Sequence, residues 1–256
     1  MSHDRALLMR MRITIAINGL AALLLAAPAA RADRRTMIRA YEFQTQPKGN
    51  LEFELWNTIE APRSSFADSV LVQRAELEYG ITDRLDLALY HVFERGGPAA
   101  DFAEYHFSDW QLETRYRLAE KGEWPVDVLL YLEVERPVDF NRPFELEEKI
   151  ILEKDFGRFA LVGNLVGAQH LGRADLGRTW EVDFGARYEL MPQLRVAAEF
   201  WTTHEFVGQD VSRNYYLGPS ISVATQKLWF QIGAGFGLDA AQDQQMQIRS
   251  VLGFNL

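Results

Sequence analysis

Residues 71–90 read LVQRAELEYGITDRLDLALY, and the fold is decided by how this stretch is read. Leu71, Ala75, Leu77 and Tyr79 alternate with Arg74, Glu76 and Glu78, and after Gly80-Ile81-Thr82-Asp83-Arg84 the alternation resumes with Leu85, Leu87 and Leu89 against Asp86 and Tyr90. A period of two is that of a strand with chemically different faces, and a short polar turn between two such runs makes a hairpin.

The pattern spreads in both directions. Upstream, Leu51, Phe53 and Leu55 oppose Glu52, Glu54 and Trp56. Downstream, Trp110, Leu112, Thr114 and Tyr116 oppose Asp109, Gln111, Glu113, Arg115 and Arg117, and Val126, Val128, Leu130 and Leu132 oppose Asp127, Tyr131 and Glu133. The run from Glu145 to Glu153 is less regular, because Glu148 falls on the apolar phase, where a register shift would fit. The run from Phe159 to Gln169 is apolar on both phases, so its inner face is not assignable, and Gly163 and Gly167 mark local bends. Trp180 to Tyr188 alternates against Glu181, Asp183, Arg187 and Glu189, and Leu194 to Phe200 alternates against Arg195 and Glu199. Leu228 to Phe236 faces Gly233, Gly235 and Gly237, which would leave room inside. The last run carries Ile248, Leu252, Phe254 and Leu256 on one phase and Arg249 on the other.

Connections alternate in length. Those near Thr82, Lys121, Gly157, Pro192 and Gln226 read as short, those around Ser64, Ala99, Asn141, Ala174, Gln209 and Asp243 as longer. Together these features predict an all-β, transmembrane, antiparallel up-and-down barrel of about twelve strands over 51–256, its apolar phase toward lipid and both termini periplasmic. Tyr79, Phe93, Trp110, Tyr116, Trp180, Tyr188 and Tyr215 would form its interfacial girdles. A soluble sandwich or lipocalin-like barrel would use the same alternation with the apolar phase turned inward.

Residues 1–32 differ in kind. Arg5, Arg10 and Arg12 precede an apolar run from Ile13 to Ala27 and the small-residue site Ala30-Arg31-Ala32, the layout of a cleaved signal peptide. Residues 33–50 then form a short periplasmic segment. The chain of 256 residues carries a net charge of −9 and its leader is basic, so the exported part is more acidic still and unsuited to nucleic acid. There is no cysteine to staple the fold.

The terminal run Ile248-x-Ser250-x-Leu252-x-Phe254-x-Leu256 is similar to the C-terminal signal of Gram-negative outer-membrane barrels, with Leu256 in place of the usual final aromatic. That resemblance implies the barrel assembly machinery and outer-membrane lipid as partners. Residues Leu77 to Leu87 resemble a hairpin of porin-like proteins, the putative transporters of the phenol-degradation meta-pathway family, which implies transport.

On the polar phase, Arg74, Glu76, Glu78, Asp109, Glu113, Arg115, Arg117, Glu133, Glu181, Asp183, Arg187, Arg195, Glu199 and Arg249 would line an acidic lumen. Either the bases pair with acids and close the bore, giving an occluded structural barrel, or the surplus carboxylates leave a narrow wet path favouring cations and small solutes. A third reading, an outer-leaflet lipid hydrolase, starts from His106 and Ser108, two apart on one strand face, and resembles the His-x-Ser of outer-membrane phospholipases and lipid A deacylases; the Asn that follows there is Asp109 here. No orienting polar residue faces them, so the pattern is a poor catalytic triad and a non-enzyme is expected. His91, His170 and His204 fall near the outer rim with no metal-ligand spacing, and no cofactor motif is present.

Overall fold

The computed structural model describes residues 34–62, 64, 66–96, 105–172, 177–242 and 244–256; the expected signal peptide lies outside these. Among the described residues the chain runs through β1 (Leu51–Pro62), β2 (Val70–Thr82), β3 (Leu85–Arg95), β4 (His106–Arg117), β5 (Asp127–Pro137) and β6 (Glu145–Phe156). It continues through β7 (Phe159–His170), β8 (Arg178–Met191), β9 (Leu194–Val207), β10 (Asp210–Ala224), β11 (Leu228–Gly237) and β12 (Gln244–Asn255). Each strand pairs antiparallel with the next, and β1 pairs with β12 from Glu52↔Asn255 to Pro62↔Gln244, so the sheet is a closed barrel without an edge.

Closure sorts the two phases of every strand. Leu77, Leu112, Leu132, Ile150, Leu165, Phe184, Leu217, Ile221 and Leu252 are exposed on the outside, while Glu52, Glu76, Glu113, Glu153, Asp183 and Glu199 are buried inside. A water-soluble protein does the reverse; an apolar belt around a polar interior matches a bilayer. Rings gather at both ends of the belt. Tyr79 faces Leu51 and Leu87, Tyr116 faces Leu85, and Tyr188 faces Phe159 near one rim. At the other, Phe93, Phe107, Trp110 and His91 touch one another, with centroids 4.1 Å apart for His91 and Trp110.

Several expectations need correction. The β6–β7 ladder runs unbroken from Glu145↔His170 to Phe156↔Phe159, so no register shift occurs at Glu148, which simply points outward. The expected long loop at Gln209 is a tight hairpin of residues 208–209, with Gly208 at φ 62° supplying the left-handed turn conformation. The connection at Lys121, expected short, spans residues 118–126. Otherwise residues 83–84, 157–158, 192–193 and 225–227 make the tight rim, where Leu256 N–H donates to Leu51 O at 2.9 Å and brings the strand ends together.

The apolar inner face of β7 has a packing cause. Ala160, Val162, Asn164 and Val166 are the buried, inward residues, and Val162 packs on Met37 and Ala40 of the N-terminal segment together with Ala197. Gly163 and Gly167 face outward under the rings of Phe184 and Trp180, their cross-strand partners, which cover the bare backbone.

Candidate functional site: a partly filled lumen

Of residues 34–50, expected in the periplasm, 34–46 lie inside the barrel and Pro47, Lys48 and Gly49 are exposed at its rim. The segment enters at the tight rim beside the β2–β3 hairpin. Gly49 N–H donates to Gly80 O at 2.7 Å, Gly80 N–H to Asn50 O at 3.0 Å, and the Thr45 hydroxyl to Asp83 O at 2.9 Å. A Cβ at Gly80 would strike the carbonyl oxygens of Pro47 and Gln46, so only glycine admits this approach. Asp83 and Asp86 accept the Lys48 and Gln46 amides at 3.1 and 2.9 Å. The hairpin that reads in sequence as a generic turn is therefore the collar through which the segment passes.

Further in, Phe43 N–H donates to Glu153 at 2.7 Å and Tyr41 N–H to Asn164 Oδ1 at 2.6 Å, while Asn164 Nδ2 returns a bond to Tyr41 O at 3.0 Å. At the deepest turn the amides of Ile38, Arg39 and Ala40 all donate to the Glu199 carboxylate, at 2.7, 2.8 and 3.1 Å. Arg39 forks onto Glu181. The chain then doubles back, with Arg34 lying 4.0 Å from Glu189 near the rim where it came in. Peptide N–H groups with no strand partner must find acceptors when buried, and inward carboxylates supply them. This accounts for part of the surplus of acid over base: Asp86 and Glu153 are acceptors for peptide groups as well as partners for arginines, and Glu199 serves peptide groups and the Ser220 hydroxyl.

Apolar contacts seat the same segment. Ile38 packs with Trp201 and Tyr216, and Phe43 with Leu129, Tyr131 and Ile151. The room expected from inward glycines is filled: Trp201 lies over Gly235, Ile38 against Gly233, and Met37 on Gly185.

The other polar positions divide by height. Toward the tight rim Arg115 meets Glu78, Asp86 at 2.8 Å and Glu113 at 3.3 Å, and Arg187 meets Glu42 at 2.8 Å, Glu153 at 3.1 Å and Asp155 at 3.2 Å. Glu76 accepts the Trp56 indole N–H at 2.9 Å, Arg195 pairs with Glu189 at 3.3 Å, and Arg117 reaches the Asp83 carbonyl. Asp183 is buried opposite Asn164, and Asp109 is buried opposite Pro137. In the 118–126 connection, Lys121 bridges Glu153 at 2.8 Å and Asp155 at 3.0 Å. Burial lowers its ammonium pKa, but the two carboxylates more than offset this and hold it above the usual lysine value.

Beyond the segment's turn, toward the longer loops, a cavity of about 170 Å³ remains. Glu133, Glu135, Glu145 and Glu147 line it from β5 and β6, Arg74 and Arg249 from β2 and β12, and Tyr41, Trp56, Tyr90 and Tyr131 supply its rings. Lys149 bonds Glu147 at 2.8 Å and stands over the Tyr41 and Tyr131 rings at 4.0 and 4.2 Å.

The His106–Ser108 pattern sits at an irregularity of its strand. A bulge shifts the β3–β4 register, so that Val92 opposes Asp109 while Phe93 opposes Phe107 and Glu94 opposes His106. Phe107 joins the outer ring cluster, and strict alternation between His106 and Ser108 is lost at the extra residue.

The fold and lumen define a closed twelve-stranded antiparallel barrel with an apolar exterior and a polar, partly filled interior. Three solved structures share it: the COG4313 outer membrane channel from Pseudomonas putida F1 (14% identity, TM-score 0.65, 86% of this chain and 100% of that one), the NanC porin (10%, 0.57, 80% and 100%) and the KdgM porin (6%, 0.57, 80% and 99%). At these identities the likeness is one of fold. No family model and no curated protein matches the chain.

Proposed function

We propose that the chain is a porin-like channel of the bacterial outer membrane for small solutes, its bore narrowed by its own N-terminal segment. The observation that carries this is a closed antiparallel ring, apolar outside, around a charged interior that still holds a cavity above the segment. The solved structures of like fold are named channels and porins, which supports the same reading. Within that class, the Leu77–Leu87 hairpin favours the phenol-degradation meta-pathway transporters. The exposed Leu252, Phe254 and Leu256 of the C-terminus are offered to the barrel assembly machinery and to lipid.

A second reading, an occluded structural barrel, is favoured by one observation: Glu199 and its neighbours hold the segment by buried bonds through the tight-rim half of the lumen. Planar-bilayer recording separates the two. The channel reading expects stepwise current with cation preference, reduced in Glu133→Gln/Glu135→Gln, because carboxylates at a narrow wet passage attract cations. Absence of current from well-folded protein establishes the occluded barrel instead.

A further inference from the structure

Around the cavity Lys149 is paired with Glu147 and Arg39 with Glu181, while other charges are incompletely paired. On one wall, Arg74 has no hydrogen bond or ion pair among the described residues, since its cross-strand neighbours are Trp56 and Val92. Arg249, on the far side of β1, donates to Thr58 Oγ1 at 2.9 Å and to the Ile38 carbonyl at 2.6 Å, and meets no carboxylate among the described residues. On the other wall, among the described residues Glu133 accepts only the Tyr131 hydroxyl at 2.8 Å and Glu135 only the Gln111 amide at 3.2 Å, so neither meets a cation there directly. Arg74 and Glu133 stand on strands three spacings of about 4.8 Å apart and act on each other across the lumen without a direct ion pair.

We infer that this cavity is a selectivity site for a dipolar solute, one bearing a carboxylate for Arg74 and Arg249 and a cationic group for Glu133 and Glu135. Two positive and two negative groups held apart in a confined space are best matched by a ligand carrying both signs with the same separation. A simple cation would leave the arginines uncompensated, and a simple anion would face the carboxylates. The inference rests on the channel reading for its biological meaning, while binding itself is measurable without current.

The test is calorimetric titration of the purified, detergent-solubilised mature barrel with L-arginine, with agmatine, which lacks the carboxylate, and with succinate, which lacks the cation. L-arginine is expected to bind at least about tenfold more tightly than either, the worth of one charge-assisted contact. Arg74→Gln should bring L-arginine down to the level of agmatine without weakening agmatine, Arg74→Lys should keep most of the preference, and Glu133→Gln/Glu135→Gln should weaken both. Equal binding of L-arginine and agmatine, no binding of L-arginine, or a preference that survives Arg74→Gln overturns the site. A barrel that conducts without the preference leaves the channel reading and removes this one; the preference without conductance does the opposite.

Discussion

At the scale of single residues, Glu199 shows how a carboxylate can be structural without a cationic partner. Its two oxygens take three consecutive peptide N–H groups and the Ser220 hydroxyl at 3.0 Å, so the turn at Ile38–Ala40 has its donors satisfied by one side chain. Removing that acceptor strands buried donors, each costing about 1–3 kcal/mol. Glu199→Ala is therefore expected to unseat the turn, while Glu199→Gln, which keeps one oxygen in place, should retain part of the docking. Limited proteolysis of the folded barrel reads the difference as cleavage near Arg39 in the alanine variant; uncut protein in both variants counts against this role. Sequence gave no hint of it, because a lone inward glutamate looks the same whether it meets an arginine, water or a folded-back stretch of backbone.

At the scale of elements, the strands were legible and the segment was not, for one physical reason. A strand advertises itself through a period of two imposed by different solvents on its faces, and β2, β3, β4 and β8 carry that period cleanly. Residues 34–46 are enclosed by the barrel, with Pro47, Lys48 and Gly49 exposed at the rim, and follow no period, so the sequence reads as a short periplasmic segment. The trace lay elsewhere, in β7 with its apolar inner face and in the inward Gly185, Gly233 and Gly235, three places where a barrel would otherwise hold side chains. Loop lengths misled at Gln209 for a related reason, since a glycine at positive φ closes in two residues what polar composition presents as a loop. The segment's contacts are all inside a ring that closes through its own ladder. Deletion of residues 34–46 should consequently leave the barrel able to fold, seen as heat-modifiable mobility in gel electrophoresis, and should enlarge its single-channel conductance severalfold. Unchanged conductance would mean that the segment is not what narrows the bore.

At the scale of the whole molecule, orientation of the two faces decides everything else. The apolar phase is outside, and it is exposed on well-separated strands of the ring: Leu165 on β7 is 52% exposed, Leu112 on β4 is 54% and Leu217 on β10 is 50%. In water such a belt would drive aggregation; in acyl chains it is the solvent-matched surface. The interior in turn is stabilised by ion pairs, by carboxylate bonds to the segment and by a few buried ring clusters. These two environments respond oppositely to one change. An arginine placed at Leu165, midway along β7 between Phe159 and His170, faces the lipid centre and is expected to cost about 2–4 kcal/mol of folding stability in vesicles. The same residue type is already present on the inner face at Arg115, where three carboxylates receive it. Urea titration of Leu165→Arg in vesicles measures the penalty. A change within about 0.5 kcal/mol, the range of an ordinary water-exposed surface substitution, would show that the belt faces water, and the channel reading would then lose its membrane.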